Sequence, residues 1–144
     1  MLEEACLIDK RTYQVFVVDD EVEMLRLLSD FLRARGYSVT CFGSATELFK
    51  EMSREKRDPL RKIGVIVSDI HMRPIDGFGL LQSVKKTHPD TAVILMTAYD
   101  ERQEAARAKK EGAFGYLSKP FPLASLEALL HSALEGQNRF SGKD

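Results

Sequence analysis

The chain has 144 residues, 44% apolar and 30% charged, with 21 Lys and Arg against 22 Asp and Glu for a formal net charge of −1. That length suits one domain with a sizeable core, and the even charge balance offers no basic surface for nucleic acid or an anionic membrane. Apolar runs such as Val15–Val18 and Ala92–Met96 are far too short to span a bilayer, and the acidic N-terminus MLEEACLIDK lacks a signal-peptide pattern, so a cytoplasmic protein is expected.

Residues 1–12 are mixed in charge and read as a short arm. A first strand, Tyr13–Val18, is rich in Val and runs into Asp19 and Asp20. Val22, Leu25, Leu28 and Leu32 then recur at helical spacing, with Asp20 as the expected N-cap and Gly36 as the stop. A second strand, Tyr37–Cys41, leads to a capping box at Ser44 and Glu47 and a helix carrying Ala45, Leu48, Phe49 and Met52. The following stretch MSREKRDPLRKIG sets Arg54, Lys56, Arg57, Arg61 and Lys62 against Glu55 and Asp58, which reads as a solvated helix end and loop. The third strand, Ile63–Ser68, delivers Asp69 at its tip, and Asp76 is placed to cap the next helix. The fourth strand is Ala92–Thr97. A capping box at Asp100 and Gln103 opens a helix over Glu101–Gly112, whose only apolar residues are Ala105, Ala106 and Ala108. Phe114–Ser118 forms the fifth strand, followed by Lys119–Pro120. Pro122 stands near the start of a last helix that carries Leu123, Leu126, Leu130 and Ala133. Residues 135–144 read as a polar tail or the start of a linker. Cys6 and Cys41 lack motif spacing and read as reduced thiols, Cys41 in the core.

Five strands alternate with five helices, a (βα)5 pattern. It implies an α/β, doubly wound, five-stranded parallel sheet with helices on both faces, and ligands in such sheets bind at the carboxyl ends of the strands. Asp19, Asp20, Asp69, Thr97 and Lys119 all stand at such ends, so the fold gathers three carboxylates, a hydroxyl and an ammonium from distant parts of the chain. One lysine cannot offset three crowded negatives, whereas a divalent cation can, and hard oxygen ligands suit Mg²⁺. His71, His88 and His131 lack zinc-ligand spacing. A carboxylate beside Mg²⁺, a lysine and a hydroxyl is equipped for attack on phosphorus, and Asp69 is the expected nucleophile because its strand is central.

The segments VVDDE, VIVSDIHMRPIDG, VILMTAYD and FGYLSKPF, in that order and at those strand ends, resemble the receiver domain of two-component response regulators over Tyr13–Leu134. The resemblance implies a strand order of 2-1-3-4-5. It makes Asp69 the phosphoacceptor, with Asp20 binding Mg²⁺ directly, Asp19 mostly through water, and the His71 carbonyl completing the protein ligands. Lys119 would contact the phosphoryl group, Thr97 would be the switch hydroxyl, and Tyr116 the aromatic that turns with it. His71 and Tyr99 would flank the approach of hydrolytic water, and Lys119–Pro120 would be cis. A sensor histidine kinase or phosphotransfer protein is the implied donor, and an output domain or target protein the implied reader. Docking of a second copy through the fourth helix, fifth strand and fifth helix is a candidate assembly. No contact with nucleic acid or membrane is implied, and no enzyme activity beyond self-catalysed phosphorylation and dephosphorylation. The Met-Thr-Ala-Tyr-Asp run and the Ala-rich fourth helix loosely resemble receivers of sigma-54-dependent activators.

One residue departs from the family pattern. Arg73 follows Met72 where Pro is usual, and Pro74 comes one position late, with Asp76 and Gly77 still in register. Rival readings are an aspartate-nucleophile phosphohydrolase, a receiver-like binding module that is never phosphorylated, and a nucleotide or flavin module. The first typically needs a second acid where His71 stands, and the last lacks a third glycine after Gly77-Phe78-Gly79.

Overall fold

The computed structural model describes residues 13–54, 62–99 and 102–142, with side chains as far as Gln137. The N-terminal arm, Cys6, the Asp100 cap and most of the loop before the third strand lie outside those residues. The elements in chain order are β1 (Tyr13–Val18), α1 (Val22–Ala34), β2 (Ser38–Phe42), α2 (Ala45–Met52), β3 (Lys62–Asp69), α3 (Gly77–Thr87), β4 (Ala92–Thr97), α4 (Arg102–Lys110), β5 (Gly115–Ser118) and α5 (Leu123–Gly142). All strand pairs are parallel and the sheet order is β2-β1-β3-β4-β5, as the resemblance implies.

Alternation along the strands divides the core in two. Phe16, Val18, Ile66 and Leu95 point to the side covered by α2, α3 and α4, where they meet Leu48, Phe78, Leu81, Val84 and Ala108. Val15, Val17, Val65, Val67, Ile94 and Met96 point to the other side and meet Leu28 and Leu32 of α1 and Leu126 and Leu130 of α5. Burial on both faces explains why these strands read as continuous apolar runs. Each fully buried Val, Leu, Ile or Phe stabilises the fold by about 1.5–3 kcal/mol, so the central strands are the most firmly held part of the molecule.

Local signals behave as their chemistry requires. Ser44 Oγ accepts from the Glu47 amide, and Asp76 Oδ1 from the Gly79 amide at 2.8 Å. Gly36 and Gly112 both take a φ of 94°, and each ends its helix with paired turn bonds, as in Gly36 N–H to Arg33 O and Tyr37 N–H to Leu32 O. Three expectations need correction. Asp20 is not the cap of α1; Glu21 occupies that position without a side-chain bond, and its amide donates to Asp19 Oδ1 at 2.9 Å instead. Val22 is 65% exposed, because the first turn of α1 stands clear of the sheet, and the buried stripe starts with Leu28. Residues 135–142 continue α5 rather than forming a tail. Gly136 lowers helix propensity there, but His131 and Glu135 pair one turn apart, and the Gln137 amide donates to the carbonyls of Gly64 and Asp90, fastening the helix to the sheet. Cys41 is a free, half-buried thiol, and burial pushes its pKa up.

Candidate functional site

β1 and β3 are neighbours, so their tips bring Asp19, Asp20 and Asp69 to one place: three carboxylate oxygens, one from each, lie within 4.8 Å of one another. Asp19 is fully buried and Asp69 nearly so, while Asp20 is exposed. Lys119 arrives from the end of β5, its amide bonded to the Thr97 carbonyl at 2.7 Å. Its ammonium reaches over β4 to Asp19 Oδ2 at 2.9 Å and Asp69 Oδ1 at 3.0 Å, with a longer contact to Glu21 at 3.5 Å. The Lys119–Pro120 bond is cis, as expected, and so is Arg73–Pro74, which sequence reasoning did not anticipate.

The charges are unevenly satisfied. Burial raises the pKa of Asp19, against the lowering effect of the Glu21 amide and Lys119. Burial also raises that of Asp69, where Lys119 lowers it and the charges of Asp19 and Asp20 add to the rise. For Lys119 burial works toward a lower pKa, but its bonds to Asp19 and Asp69 outweigh that and the net shift is upward. The asymmetry follows from the count of partners: the ammonium has two carboxylates, whereas each carboxylate shares one ammonium and faces other acids. The site therefore carries surplus negative charge on hard oxygen donors, the donor set that fits a divalent cation of the Mg²⁺ or Ca²⁺ type.

Around this centre, Thr97 is fully buried, and its hydroxyl accepts from the Tyr99 amide at 3.0 Å and donates to the Tyr99 carbonyl at 3.2 Å. The Tyr99 ring meets the His71 ring edge-on, centroids 5.0 Å apart, and His71 Nε2 donates to Glu104 Oε2 at 2.9 Å. Tyr116 is half-buried in β5, in register with Leu95 of β4. Asp20, His71, Met72, Arg73 and Asp76 line an open depression of about 420 Å³ beside the acids, so Arg73 stands on its wall. Glu21 and Glu104 were not singled out from sequence. Glu21 had a signal in the run of three acids after β1, but Glu104 had none, since its contact crosses between elements.

A family model described as the response regulator receiver domain matches residues 15–131. The chain belongs to that family. The receiver resembles the DNA-binding transcriptional regulator NtrC of Escherichia coli, 35% identical over 120 residues, which cover 83% of this chain and 24% of that protein. It is 33% identical to the transcriptional regulatory protein GlrR of the same organism, over 84% of this chain and 26% of GlrR. The chain thus spans about a quarter of the length of these curated relatives. Among solved structures, a receiver domain protein from Clostridium thermocellum superposes with a TM-score of 0.80 at 29% identity, covering 89% of this chain and 98% of that one. The beryllofluoride-activated NtrC4 receiver domain dimer does so with a TM-score of 0.71 at 30% identity, covering 85% and 96%. The receiver is a phosphoryl-accepting switch of two-component signalling, and neither the phosphohydrolase nor the unphosphorylated binding module is favoured. Among the described residues no helix is long and apolar enough to cross a membrane.

One glycine ties the helix scaffold to the acid cluster. A Cβ on Gly77, the first residue of α3, would stand 2.7 Å from the Asp69 carbonyl oxygen and 2.8 Å from Ile70 Cα. Both are backbone atoms and cannot swing away. Gly77→Ala is expected to cost about 2 kcal/mol of stability, measurable by urea denaturation, and to displace the β3 tip that carries Asp69.

Proposed function

We propose that Asp69 is the phosphoacceptor of this receiver, that Asp19, Asp20, Asp69 and the His71 carbonyl hold Mg²⁺, and that Lys119 and Thr97 act on the phosphoryl group. The observation that carries this reading is the Lys119 ammonium bonded at once to Asp19 and Asp69, with Asp20 beside them. A carboxylate oxygen of Asp69 attacks the phosphorus of a phosphohistidine or an acyl phosphate. The donor's P–N or P–O bond breaks, its electron pair leaves with the imidazole or carboxylate, and an acyl phosphate is formed on Asp69. Lys119 releases Asp69 and stays with the phosphoryl oxygens, offsetting charge where it builds up. Bound Mg²⁺ would supply further neutralisation of those oxygens. In the reverse sense, water attacks the same phosphorus and Asp69 leaves as a carboxylate; His71 and Tyr99 stand where they limit that approach.

The phosphoryl group adds roughly −1.5 to −2 charge to a crowded acid site. Thr97 then exchanges its bonds with the Tyr99 backbone for one to a phosphoryl oxygen, and Tyr116 follows into the space it leaves. The face formed by α4, β5 and α5 carries the change to an output domain or target protein, with a second copy of the chain as a candidate partner. The donor is a sensor histidine kinase, a phosphotransfer protein or a small phosphodonor, in the cytoplasm. We place the receiver unit at residues 13–134, with 1–12 as an arm and the extension of α5 beyond Leu134 as the lead into a linker. Incubation with labelled acetyl phosphate and Mg²⁺, followed by mapping of the label, tests the reading; label on any residue other than Asp69 overturns it.

Asp20 separates metal binding from structure. It is exposed and its charge raises the pKa of Asp69. Asp20→Asn is expected to weaken Mg²⁺ binding by about tenfold or more, followed by calorimetry. The metal-free protein should become slightly more stable, because one charge that repels Asp69 is gone, and the gain should shrink as salt is added.

A further inference from the structure

α4 is lightly anchored, with Ala108 as its one buried residue. A single methyl group cannot fix a nine-residue helix, so polar contacts set its position. In its second half the Arg107 guanidinium lies over the Phe78 ring, 4.0 Å from the centroid, and bonds Glu111, which also accepts from Gln82 of α3. In its first half the contact is Glu104 with His71. The Glu104 side chain is drawn inward, and its second oxygen, Oε1, is buried without a hydrogen-bond partner among the described residues. A glutamate on a surface helix has water within reach, so that posture is unfavourable unless the bond to His71 returns more than it costs. From His71 the contacts continue edge-on to the Tyr99 ring and through the Tyr99 backbone to the Thr97 hydroxyl.

We propose that Glu104 is a positioning residue: by holding His71 it fastens α4 to the loop between β3 and α3, so that the loop beside Asp69 and the position of α4 change together. With the latch closed, α4 is held in its resting place. When Thr97 turns away from Tyr99, the Tyr99 backbone loses both bonds, the ring contact with His71 loosens, and the hold on Glu104 fails. The resting half of this inference needs only the contacts above; the release half rests on the reading of Asp69 as phosphoacceptor.

The test uses the whole chain with Glu104→Ala, Glu104→Gln, His71→Ala and the double variant His71→Ala/Glu104→Ala. Without phosphodonor, amide exchange over Ala105–Lys110 should rise about fivefold in each single Ala variant and no further in the double. Glu104→Gln keeps an acceptor oxygen for His71 and should stay within about twofold of wild type. Denaturant midpoints should fall only slightly, by the loss of one polar contact, since neither side chain belongs to the core. Addition of Mg²⁺ and beryllofluoride should speed α4 exchange in wild type and add little in Glu104→Ala. Wild-type exchange in Glu104→Ala, additive effects in the double variant, or a Gln variant no better than Ala would each overturn the latch. Failure of even the wild type to take label from acetyl phosphate would remove the phosphoacceptor reading, while exchange in the resting protein would still decide the latch.

Discussion

Asp69→Asn is expected to lose uptake of label from acetyl phosphate by roughly a thousandfold or more, with the fold intact. The amide has nearly the shape of the carboxylate, and its oxygen still accepts from Lys119, but it lacks the negative charge that makes a carboxylate oxygen nucleophilic toward phosphorus. Stability should not fall. Burial already works against the charge of Asp69, so a neutral group there relieves repulsion from Asp19 and Asp20. A gain of up to about 1 kcal/mol at neutral pH is expected. Label counting with circular dichroism separates the two effects, and a variant that accepts phosphate as readily as wild type would remove Asp69 from the mechanism.

Lys119→Met should have the largest effect on stability of any single change at the site. The side chain is 9% exposed, and it is the cation shared by fully buried Asp19 and nearly buried Asp69. Without it two interior carboxylates have no counter-charge, which is expected to cost about 3 kcal/mol at pH 7. The pH dependence has a definite sign. Both acids have folded-state pKa values above the ordinary 3.8, and loss of the ammonium raises them further. A raised carboxylate favours the fold below its unfolded value and loses that contribution as pH rises through the folded value. The variant's deficit should therefore be small near pH 3.8 and grow toward neutrality. Urea titrations of both proteins across that window test it; a deficit independent of pH would mean that packing of the lysine stem, rather than its charge, is what the protein loses.

The (βα)5 pattern and the acid cluster were legible in the sequence because both rest on local signals, whereas the strand order came with the family resemblance. Two strands match their expected bounds, Tyr13–Val18 and Ala92–Thr97; β2 and β3 differ by one residue at each end, and β5 by one at its start. Parallel strands then force Asp19, Asp69, Thr97 and Lys119 to one edge, without any knowledge of side-chain packing. What could not be read depends on contacts between elements or on competition at helix ends. Asp20 loses the capping position because Asp19, one residue earlier, already takes the Glu21 amide. α5 runs past Leu134 because Gln137 finds carbonyls on the sheet. Glu104 is one of several charges on a polar helix, and only the approach of His71 distinguishes it.

The reach of Lys119 to Asp19 joins positions one hundred residues apart. Ribosomal synthesis delivers the carboxylates first and the ammonium late. A chain cut short before β5 would hold Asp19 and Asp69 without the ammonium they share. Charge balance at this edge of the sheet is therefore completed by the strand farthest along the domain from β1, and not by any neighbour of Asp19 in sequence.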